Sequence, residues 1–193
     1  ANILKKINNQ YFNTEGNKEN LKFILEVAKV LKLKKNSLFQ TLKRFKGLKY
    51  RQEIIFQSKN LKIINDSKST SFSSSVSLLK SLNNVYWVVG GQAKKGDILL
   101  LSKKKCVSFK AYIFGKDKIF FINKLQKIMK YESFLDLKTL IKKIFLDISL
   151  DKEISQKTIL FSPSAASFDN FKNFEHRGEY FNHLIGKYIN AKL

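Results

Sequence analysis

Apolar residues recur at three- and four-residue intervals between Gly16 and Leu33, through Leu21, Ile24, Leu25, Ala28 and Leu31. That period marks an amphipathic helix. A second short helix is expected over Asn36–Phe45, with Asn36 or Ser37 as its N-cap and Gly47 as its stop. The residues ahead of both, to about Asn13, read as a strand. From Arg51 the period changes. Arg51–Ser67 reads as a hairpin that turns at Ser58, Lys59 and Asn60. Helices are expected over Ser71–Leu82, Asp97–Lys105, Lys116–Ile128, Phe134–Ile148 and about Glu175–Ile189. Strands are expected over Val85–Gly91, Val107–Gly115 and Lys157–Ser162. Strands alternating with helices imply an α/β fold, a mostly parallel sheet with helices on both faces.

Composition narrows the class. With 193 residues, 44% of them hydrophobic and 13% aromatic, the chain can bury a substantial core. No run approaches the roughly 18 apolar residues of a membrane span, and the first residues lack the apolar segment of a signal peptide. The lone cysteine, Cys106, has no internal disulfide partner, which fits a reducing cytoplasm; it reads as a small buried hydrophobe. The net charge of +22 would suit a polyanion partner. Among the 37 basic residues, however, only Arg44, Arg51 and Arg177 are arginines, and no long basic block occurs. Phosphate and base-edge recognition favours arginine forks. The charge therefore reads as a solvated lysine surface, and no nucleic-acid partner is expected.

In an open α/β sheet, ligands bind beyond the carboxyl ends of the strands. Three unusual segments fall there. In "NDSKST", Asp66 can accept hydrogen bonds from sugar hydroxyls, Lys68 offers a point charge, and Thr70 can cap the next helix or touch a ligand. In "GGQAKKGD", Gly90 and Gly91 let backbone approach a ligand, and Lys94 adds charge. In "SPSAASFDNF", which holds the only proline, Pro163, either Ser167 or Asp169 marks a helix start whose free N–H groups favour an anion. No phosphate-binding GxxxxGK[ST] loop is present. His176 and His183 read as helix-surface residues, and Asp147 and Asp151 as a helix end.

Four stretches taken together, Phe45–Arg51, Ile64–Thr70, Gly90–Asp97 and Ser162–Phe181, resemble the carboxyl-terminal part of the Mur ligase family. Within it they resemble the members that join D-glutamate to UDP-N-acetylmuramoyl-L-alanine. The last stretch, "SPSAASFDNFKNFEHRGEYF", is the most specific, and the match covers nearly the whole chain. The resemblance implies that residues 1–47 are the helical tail of the central ATPase domain. Residues 48–193 would then form the Rossmann-like, D-glutamate-binding domain. It implies an ATP-dependent amide-bond-forming ligase of peptidoglycan precursor synthesis that works through an acyl phosphate, is cytoplasmic and is expected as a monomer. The phosphate loop and most ligands of Mg2+ would lie upstream, so this piece would hold no catalytic residue or metal ligand and be inactive alone.

Residue by residue, the resemblance places Asn17, Arg51, Asp66 and Lys68 near ATP. It places Thr70 and Lys94 on the α-carboxylate of D-glutamate, and Ser167, Phe168 and Phe174 around its side-chain carboxylate. The sequence departs from the family at Gly16 and Tyr50, where histidines are usual, and at Lys49, where proline is usual. The common cysteine is missing from "SPSAAS". Alternatives are a basic nucleic-acid-binding module, a Mur ligase adding another amino acid, or a relic that binds a partner.

Overall fold

A computed structural model of the chain describes residues 3–189. It divides into two compact units, one to Leu48 and one from Lys49. The first contains α1 (Ile3–Ile7), a 3-10 turn at Gln10–Asn13, α2 (Glu15–Val30) and α3 (Lys35–Arg44). The opening segment is thus helical and not the expected strand. Asn9 explains the difference, because its side chain accepts from the Tyr11 N–H and donates to the carbonyls of Leu42 and Phe45, both at 2.8 Å. These bonds fold the segment back as a cap. The start of α3 is Lys34, without a side-chain cap, instead of Asn36 or Ser37. On α2, Leu21 and Ala28 are buried, whereas Ile24 and Leu31 are exposed.

The second unit is a six-stranded sheet in the order β1-β2-β6-β3-β4-β5. Its strands are β1 (Glu53–Gln57), β2 (Leu61–Asn65), β3 (Val85–Gly90), β4 (Lys110–Phe114), β5 (Lys130–Ser133) and β6 (Lys157–Phe161). Only the β1–β2 hairpin is antiparallel. The helices are α4 (Phe72–Ser81), α5 (Lys118–Leu125), α6 (Leu137–Leu150) and α7 (Phe174–Ile189).

Strand alternation builds two cores. Trp87 and Val89 of β3, Ala111 and Ile113 of β4, and Leu160 of β6 face one side, with Phe72 and Leu79 of α4 and Phe121 of α5. Val88, Tyr112, Phe114, Ile159 and Phe161 face the other. There Leu137, Leu140, Ile141 and Ile144 present one stripe of α6, beside Phe181 and Leu184 of α7. Asp147 of α6 binds Lys110, Lys143 and the Tyr112 hydroxyl, each at 2.6 Å. Burial works to raise its pKa, but these donors win and hold it down at about 2.

Two segments differ from expectation. Asp97–Leu101 is not helical, and only Lys103–Cys106 forms a 3-10 turn. Leu99 is partly buried, Leu100 exposed and Leu101 buried, which is the alternation of extended chain. Asp97 is meanwhile tied to the N–H of Phe72 at 2.6 Å. The strand β5 was not anticipated, since "KYES" is polar and lies at the sheet edge. The hairpin, its turn and the remaining helices and strands stand where the pattern placed them.

Leu160 is fully buried on the central strand. Leu160→Ala is expected to destabilise the second unit by about 2–5 kcal/mol, read as a lower urea midpoint with an unchanged slope.

Candidate functional site

Because β6 lies between β2 and β3, the loops leaving these three strands emerge side by side. Backbone bonds stitch them together. The Asp66 N–H donates to the Phe161 carbonyl at 2.7 Å, and the Gly90 N–H to that of Pro163 at 2.9 Å. Gln92 and Ala166 exchange a pair of bonds at 3.1 and 2.9 Å. The two glycines serve this stitching. Gly90 has φ of +129° and Gly91 +133°, and a Cβ on Gly91 would stand 2.7 Å from the Ala166 carbonyl. Their bare backbone admits the neighbouring protein chain, where the sequence suggested a ligand.

The candidate residues fall into two groups. Thr70 and Lys94 are exposed at adjacent loops, and Lys94 makes no ion pair among the described residues. Ser167 lies on the third loop and is 3% exposed. The structure thus brings together the loops that carry all three. Phe174 opens α7, and the ammonium of Lys68 sits 4.0 Å above its ring. Phe168 is 73% exposed. Nor does a helix start at Ser167 or Asp169. Turns occupy the stretch until Phe174, and the Asp169 carboxylate accepts from the N–H of Lys116 at 3.0 Å.

The residues assigned to ATP are less available. Asn17 belongs to the first unit, is buried, and donates to the Tyr11 carbonyl at 2.7 Å. Asp66 is turned inward, with Oδ1 accepting from the Gln52 N–H at 3.1 Å and Oδ2 from the Ser162 hydroxyl at 2.7 Å. Lys68 is engaged by Phe174. Arg51 alone of the four presents an exposed cation. The residues of this chain therefore do not by themselves make up a nucleotide cradle. Among the described residues, no group of three or more His, Cys, Asp or Glu is placed to hold a metal ion.

Arg177 is the residue that sequence reasoning passed over. It is fully buried, donating from Nε to the Ser67 hydroxyl at 3.1 Å and from Nη2 to the Ser67 carbonyl at 2.7 Å. Nη1 has no hydrogen-bond partner. Burial pushes its pKa down to about 10, against the pull of Asp169 and Asp66. The available signal was its type. In a chain where lysine is the default cation, an arginine points to a forked, directional need. Beside it, Asn65 donates to the Gly178 carbonyl and to Asn182, binding α7 to the end of β2.

With this geometry in view, the chain can be set beside curated relatives. A "UDP-N-acetylmuramoylalanine--D-glutamate ligase" of Wolbachia sp. subsp. Brugia malayi is 35% identical over 175 residues, 91% of this chain and 35% of the relative. Along that length the chain is homologous to the Mur ligases. The same-named proteins of Rickettsia bellii and Francisella tularensis are 33% and 34% identical, covering 92% and 90% of the chain. The chain spans 35%, 39% and 41% of these three relatives. The UDP-N-acetylmuramate-alanine ligase of Thermotoga maritima superposes with a TM-score of 0.62 at 13% identity, over 92% of this chain and 39% of that one, a likeness of fold. No family model matches.

Burial pushes the Asp66 carboxyl up to about 7, against the hydrogen bonds from Ser162 and Gln52 and the charges of Arg51 and Arg177. Unfolded, it would titrate near 3.8. The folded state therefore holds the extra proton between these values, and stability from this group is lost as pH rises through about 7. Relative to Asp66→Asn, the native chain should lose thermal stability between pH 5 and 8. Parallel midpoint curves for the two proteins would refute this.

Proposed function

We propose that this chain is the carboxyl-terminal, D-glutamate-binding portion of an ATP-dependent ligase that extends UDP-N-acetylmuramoyl-L-alanine in peptidoglycan precursor synthesis. On this reading the first unit is the tail of the central ATPase domain, and residues from about 48 form the substrate domain. One observation carries the proposal. The loops bearing Thr70, Lys94 and Ser167 emerge together from β2, β3 and β6, and Lys94 stands exposed with no carboxylate paired to it. The names of the relatives supply the amino acid.

A D-glutamate dianion needs a cation at one end and hydroxyl or amide donors at the other. Lys94 with Thr70 takes the α-carboxylate, and the Ser167 loop takes the side-chain carboxylate. Phe174 backs the site and holds Lys68 in place. Phe168, being exposed, joins only by swinging inward. ATP and Mg2+ are the cofactors of the whole enzyme, and Arg51 is this chain's contribution beside the nucleotide. ATP supplies the phosphoryl group that activates the acceptor carboxylate. This chain's part is to hold the amino acid for attack. Alone it forms no amide bond.

Titration of the 15N-labelled chain with D-glutamate should shift the amides of Thr70, Lys94 and Ser167, with L-glutamate weaker. Lys94→Ala should weaken binding by about tenfold or more. Shifts confined to other loops, or an unchanged affinity in the variant, would remove the site. ADP release by the isolated chain with both substrates and ATP would refute its inactivity.

A further inference from the structure

Five buried polar side chains beneath the loops form a connected cluster whose centre is Ser75 of α4. Its hydroxyl lies 2.6 Å from that of Ser69, 2.7 Å from Ser162 and 2.6 Å from Ser164. Ser162 in turn donates to Asp66 at 2.7 Å. All five are at most 5% exposed. Ser69 belongs to the loop after β2, whereas Ser162 and Ser164 belong to the loop after β6. The hub therefore joins the loop that carries Thr70 to the loop that carries Ser167.

Above the pH at which Asp66 loses its proton, proton counting fixes the direction of the bonds. A serine hydroxyl donates once and accepts twice. With Asp66 ionised, Ser162 spends its proton on the carboxylate. Ser75 must then donate to Ser162, and its two lone pairs receive Ser69 and Ser164. The hub is saturated by these three neighbours, so a side chain without the hydroxyl leaves buried groups unpaired on both loops at once. Backbone geometry at the far end agrees. Ser164 has φ of +55°, a left-handed conformation uncommon for serine, and its hydroxyl bond to Ser75 holds it there.

We infer that Ser75 is a positioning residue that sets the spacing between the two halves of the carboxylate site, touching no ligand itself. This rests on the D-glutamate reading for its ligand, though the mechanical coupling does not. The test has two arms. Ser75→Ala removes the hydroxyl, Ser75→Cys fills the same volume with a weak donor, and Ser75→Thr restores the hydroxyl. At a temperature where each is folded, Ala and Cys should raise the D-glutamate dissociation constant about tenfold, with Thr near the native value. Without ligand, amide exchange should quicken together at Ser69 and Ala166 in Ala and Cys, and not in Lys94→Ala. A lower melting temperature with unchanged D-glutamate affinity would make Ser75 merely structural and overturn the proposal. So would faster exchange confined to α4. If the native chain binds no D-glutamate, the function reading falls, and the exchange arm alone decides the coupling.

Discussion

Everything at the candidate site depends on where β6 inserts. It is the last strand in the chain, yet it pairs in parallel with β2 on one side and β3 on the other. Its loop stands between those after β2 and β3, strands that do not pair with each other. The pairing costs long loop closures, with Lys157 meeting Leu61 across most of the second unit. In return, three segments far apart in sequence are held at hydrogen-bonding distance. The insertion also explains why so much serine is buried there. Three loop ends packed against one another leave backbone and hydroxyl groups that water cannot reach, and they must satisfy each other.

Much of this was legible in the residues. The continuous apolar runs of β3 and β6 and the helical stripe of α6 set the layers, because these strands are buried on both faces and the helix on one. The opening residues misled because Asn9 makes tertiary bonds to a segment over thirty residues away, which no local pattern reveals. The polar edge strand β5 carries no hydrophobic alternation to detect. At the candidate site, residue types and order singled out three loops, and the structure places those loops side by side. They could not show which way side chains turn. Asp66 and Phe168 were both expected to face a ligand, and one is sealed inside while the other stands in solvent. The sequence resemblance supplied the ligand's chemistry, which spacing alone had left open.

The charge also looks different once placed. Most of the described lysines are exposed, and the eight ion pairs among the described residues involve few of them. The acids nearest the candidate site are largely occupied by backbone amides. Asp97 accepts from Phe72, Asp117 from Ala93 at 2.8 Å, and Asp169 from Lys116. These carboxylates keep their charge but are held at the backbone, and none of them forms an ion pair with Lys94 among the described residues.

Trp87 carries a practical consequence. It is the chain's one tryptophan, it is fully buried on β3, and its indole N–H donates to the Ser162 carbonyl at 2.8 Å. Indole emission responds to hydrogen bonding and to the packing around the ring. The fluorophore is anchored to the first residue beyond β6, directly above the central strand. The molecule therefore contains its own optical gauge of the loop that holds Ser162, Ser164 and Ser167, free of background from any other indole.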